Sequence, residues 1–207
     1  MKEFSEVEKD LAAVRQALDR SGKFLSLHGL SGVLAGVYAL AGATYAYFLL
    51  YYPNSPIGFR FYFINEKSVL YQLIFCAVAV LALSLATGFW FSKRKAKSLN
   101  LTFWNETSRQ LLIKLSVPLL SGGIFILVLV LRGYYGIVAP AFLLFYGLAL
   151  FNASGNLYKE VQVLAFCEIL LGILCALWPG FGLIFWAIGF GVLHVLYGAL
   201  VHRKYDV

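Results

Sequence analysis

The sequence predicts an all-α polytopic membrane protein: six transmembrane helices, with both termini cytoplasmic. Three observations carry that prediction. Of 207 residues, 61% are hydrophobic and 13% are charged, about half the charged fraction usual in a soluble domain. The apolar residues also come in long runs, several at or beyond the ~20 residues that an α-helix needs to cross a bilayer. Strands of an outer-membrane barrel would instead alternate over about ten residues. Finally, Lys and Arg are divided unevenly among the connections, which orients the chain.

Residues 1–23 precede the first run. In FSEVEKDLAAVRQALDRSG, the residues Phe4, Val7, Leu11, Val14 and Leu18 fall on one helical face, and Ser21-Gly22 supplies a stop. Residues 1–23 are expected to form a cytoplasmic amphipathic helix, and 24–207 the six-span bundle. Glu3, Glu6, Glu8 and Asp10 disfavour a pure membrane-surface location, so docking on the bundle or on a second subunit is favoured. The segment is too long and too acidic for a signal-peptide n-region, and the run after it is expected to stay in place as a signal anchor.

The six runs cover about residues 25–52, 69–91, 111–131, 134–151, 161–177 and 181–200. With both ends inside, the cytoplasmic segments hold 14 of the 17 basic residues, and the outer loops hold only Arg60, Lys67 and Arg132. The net charge of +7 owes most to the inner loop FSKRKAKSLN, which starts at Phe91. Such a loop reads as a topology determinant in contact with anionic headgroups, not as a nucleic-acid site. The expected partners are membrane lipids and further copies of the chain.

The first run contains Gly32 and Gly36 in a G-x-x-x-G strip, flanked by Gly29 and Ala39. Such a strip lets another helix approach closely, either within the chain or between two copies. Gly182, Gly189 and Gly191 suit the sixth run to the same role. The Tyr/Phe-rich loop YYPNSPIGFRFYFINEKS reads as part of an interfacial aromatic belt. Cys76, Cys167 and Cys175 all lie inside runs, so packing is expected of them and not a disulfide framework. Cys167 precedes Glu168 directly, about 100° away around the helix, which is poor placement for shared metal ligation. No cofactor or metal is expected.

The turn sequences LRGYYG and ALWPGFG each close a hairpin, and three such hairpins account for the six spans. The stretch EILLGILCALWPGFGLIFWAIGFGVLHVLYG resembles the helix–Pro–Gly–helix unit of HdeD-like acid-resistance membrane proteins. The whole chain is similar to small inner-membrane proteins of the Bacteroidetes. These resemblances imply an inner-membrane bundle of three hairpins without established catalytic residues, and they transfer no site residue.

Glu168 lies about seven residues from the inner start of its span, and His194 about seven from the inner end of the next. At 1.5 Å per residue, both sit about 10 Å inside the boundary. His28 is shallower, and Lys114, Asn152 and Asn156 are near the same surface. A charge at depth must face protein or water and find a partner, or be neutralised. Glu168 and His194 are therefore expected to form either a static clamp between helices or, with His28, a proton or ion relay. HExxH, GxSxG, paired DxxD and P-loop motifs are absent, and catalysis is not expected. The expected function is a non-catalytic structural or stress-related role; the alternative is a small transporter or channel using the Glu/His pair.

Overall fold

Long apolar runs satisfy their backbone polar groups internally only as helices, and the computed structural model follows that rule. It describes residues 28–52, 67–98, 104 and 106–206. The expected amphipathic helix at 1–23 and most of the aromatic loop lie outside the described residues. Among the described residues, six helices are long and apolar enough to cross a membrane. They are α1 (Gly29–Leu50), α2 (Lys67–Ser98), α3 (Glu106–Leu131), α4 (Tyr135–Ala153, its first turn a 3-10 turn), α5 (Lys159–Leu177) and α6 (Gly182–Asp206).

Three helices run further than their apolar stretches. Helix α2 continues through the basic segment to Ser98, because Lys and Arg are good helix formers and favour the negative end of the helix dipole. Helix α3 starts at Glu106, an acidic first-turn residue that suits the other end of the dipole. Helix α6 passes its expected end and reaches Asp206 through a final π-helical turn, His202–Asp206. Its middle, Ala187–Leu193, is also π-helical, the wider form that appears as local bulges in α-helices.

The turn after α3 depends on Gly133, whose φ is 78°. Gly133 N–H donates to Val130 O at 3.1 Å, and Tyr134 N–H donates to Leu129 O at 2.9 Å. This pair of bonds is the glycine-terminated Schellman stop, with the glycine in the left-handed region. Pro118 lies inside α3, and without an N–H it leaves the Lys114 carbonyl short of its usual helical donor. Asn152 of α4 replaces that donor, with Nδ2 2.7 Å from Lys114 O. A polar side chain near the end of α4 thereby repairs the break in α3.

Close helix contacts are made where side chains are smallest. A Cβ on Gly29 would lie 2.5 Å from Gly198 O, and one on Gly198 would lie 2.6 Å from Gly29 O. One on Gly36 would meet Gly191 O at 2.6 Å, and one on Gly32 would meet the Gly198 Cα at 3.1 Å. The G-x-x-x-G strip of α1 therefore packs on α6 of the same chain. Helices α4 and α5 form the other tight pair, through Gly147 against Ile169 and Gly172 against Leu144.

Helix α2 packs on α1, and α3 packs on α4, without an extended contact between α2 and α3. The seam between them is an apolar cavity of about 410 Å³, bordered by Ala46, Leu73, Ile126, Phe142 and Trp186.

Candidate functional site

Two polar clusters stand out against this apolar scaffold. The deeper one joins α4, α5 and α6. Glu168 of α5 is completely buried and His194 of α6 is 7% exposed. The His194 Nδ1 lies 3.0 Å from Gly189 O and 3.5 Å from Glu168 Oε1, while Nε2 lies 2.8 Å from the Tyr146 hydroxyl. A carbonyl can only accept, so Nδ1 carries the proton. In the neutral ring Nε2 then accepts from Tyr146, and the imidazole is satisfied at both nitrogens.

The π-helical segment helps to make this arrangement. Gly189 lies within it, five residues before His194, and its carbonyl is the one that the His194 side chain reaches. Gly189 also creates space for the carboxylate, because a Cβ there would stand 2.6 Å from Glu168 Oε2 and 2.5 Å from Leu143 Cδ2. Both Glu168 oxygens are buried without a hydrogen-bond donor among the described residues. The large cavity is bordered by neither Glu168 nor His194.

The second cluster lies at the end of the bundle where α1 begins and α2 and α6 finish. Asp206 accepts from Gly29 N–H at 2.6 Å and pairs with Lys95 through its other oxygen at 2.5 Å. Its Oδ2 is also 3.1 Å from His28 Nδ1 and 3.3 Å from His202 Nδ1. The carboxylate thus caps the positive end of α1 from the far end of the chain. His28 stacks on His202, at 5.6 Å between ring centres, and lies tilted against Phe91, at 5.2 Å.

Glu168 and His194 are brought together, whereas His28 belongs to the second cluster. Gly32 and Gly36 belong to the α1–α6 packing interface. Tyr146, Lys95, His202 and Asp206 are functional candidates that the sequence reading passed over. The His202 and Asp206 spacing of four, one helical turn apart in HRKYD, is the signal that could have revealed the last two. The same end is tied further by Lys204 to Glu160 at 2.6 Å and by stacking of Tyr158 on Tyr205 at 4.0 Å. No family model matches the chain, and neither a curated protein nor a solved structure matches it.

Proposed function

We propose that the chain is a non-catalytic structural protein of a bacterial inner membrane, with both ends cytoplasmic and lipid as its principal partner. The observation that carries this reading is His194. It is buried, and both its ring nitrogens are engaged within the protein, one by Tyr146 of α4 and the other by its own helix. A histidine satisfied in this way acts as a clamp between helices. Purified protein in proteoliposomes is expected to pass no protons or alkali cations above the level of empty vesicles.

A second reading, a small transporter or channel, draws on one specific observation: both Glu168 oxygens lack a donor among the described residues. A carboxylate left so in an apolar interior is suited to taking up a proton or a cation. Flux above empty vesicles that disappears in Glu168→Gln, with the variant still folded, would replace the structural reading by this one.

The orientation rests on the division of the basic residues, 14 of 17 in the segments assigned to the cytoplasm and only Arg60, Lys67 and Arg132 in the outer loops. Cysteines introduced at Lys97 and Arg132, both exposed positions, test it after the native cysteines are replaced by alanine. A membrane-impermeant thiol reagent should label R132C in intact spheroplasts and K97C only after permeabilisation. The reverse pattern would invert the assignment.

A further inference from the structure

The cluster at the end of α1, α2 and α6 has a feature that helix fastening alone leaves unexplained. His28 Nδ1 accepts from Leu30 N–H at 3.2 Å, yet it stands 3.1 Å from Asp206 Oδ2. One ring nitrogen cannot both accept from an amide and donate to a carboxylate. In the neutral, accepting state, two lone pairs face one another across that gap. A cation bound between them removes the repulsion by taking the Nδ1 lone pair that Leu30 N–H now uses.

We propose that His28, His202 and Asp206 form a binding site for a borderline divalent transition metal of the zinc class. The three ligand atoms, two imidazole nitrogens and one carboxylate oxygen, all lie within 4.8 Å of one another. Ligand atoms around a tetrahedral zinc with bonds of about 2.0–2.1 Å stand roughly 3.3–3.4 Å apart. The two separations to Asp206 Oδ2, 3.1 and 3.3 Å, are already close to that figure. Imidazole with carboxylate is a donor set that suits zinc and its neighbours and does not suit calcium or magnesium.

The surroundings fit the same role. Lys95 holds Oδ1, leaving Oδ2 toward the imidazoles, and a ligating carboxylate is commonly fixed by such an outer hydrogen bond. Oδ2 keeps a second lone pair for Gly29 N–H. The His28 and His202 side chains retain 23% and 38% exposure, so an ion has a route in and a further coordination position stays open to water. Binding would join the start of α1 to the end of α6 through bonds stronger than the present contacts.

The test uses the untagged full-length chain in detergent, stripped of metal and titrated with Co²⁺ and then Zn²⁺. The expected result is one Co²⁺ per chain, with visible absorption of low-coordinate nitrogen–oxygen ligation, displaced by Zn²⁺. His28→Ala and His202→Ala should each weaken Zn²⁺ binding by at least about tenfold, since even outer-sphere partners are worth that much. The metal-free melting temperature of each variant shows whether it has folded, and His202, the more exposed ligand, is the safer replacement. Absence of binding by folded wild-type protein overturns the proposal. So does an affinity that survives unchanged in either folded variant.

Discussion

Gly36→Leu is expected to abolish the folded, monodisperse protein. A Cβ at this position would stand 2.6 Å from Gly191 O, 2.7 Å from Val195 Cγ2 and 2.8 Å from Val195 N. Two of these three atoms are backbone, so no side-chain rotation on α6 can give way. Helices α1 and α6 would have to separate, and their glycine contacts at Gly29, Gly32 and Gly198 would separate with them. Even Gly36→Ala should cost about 1–3 kcal/mol, the usual range for overpacking. Gly123→Ala provides the control, because nothing lies within 4 Å of a Cβ there and alanine is favoured over glycine in a helix by about 1 kcal/mol. Size-exclusion profiles and thermal unfolding in detergent measure both. A Gly36→Leu protein that elutes and melts like wild type would refute the close α1–α6 contact.

The second large effect concerns His194. His194→Ala removes its hydrogen bonds to Tyr146 and Gly189 and leaves a hole at the junction of α4, α5 and α6. Interhelical hydrogen bonds in membrane proteins are worth about 0.6 kcal/mol on average, with maxima near 1.7, and a large-to-small core replacement adds a cavity term. The combined loss should be about 2–4 kcal/mol, or roughly 5–15 °C in melting temperature. Glu168→Met should behave differently. It removes a buried carboxylate that receives no hydrogen bond from the described residues, and apolar replacement of buried ionic groups is often neutral or stabilising. The pair of variants therefore separates the clamp from its neighbour. Equal losses in both would mean that Glu168 contributes to the clamp, and no loss in His194→Ala would remove the clamp altogether.

The helical class and the six spans were legible because length and apolar continuity are one-dimensional properties of a chain. That Glu168 and His194 stand at one level along their helices was legible for the same reason, since position along a helix is counted at 1.5 Å per residue. Helix ends were read less well. The basic run after Phe91 and the HRKYD segment are polar, and polarity ends an apolar run without ending a helix.

Partners around the helix axis could not be counted in this way. Tyr146 meets His194, and Asn152 meets Lys114 O, because α4 packs on α5, α6 and α3 at particular rotations. His28 meets Asp206 although 177 residues separate Gly29 from Asp206, because mutual glycine contacts press α1 onto α6. The sequence by itself determined which of the described segments form long apolar helices and where along its helix each polar group stands. Only the tertiary structure decided which groups meet, since backbone hydrogen bonds within each helix set position along its axis, while shape complementarity between helices sets neighbours and facing.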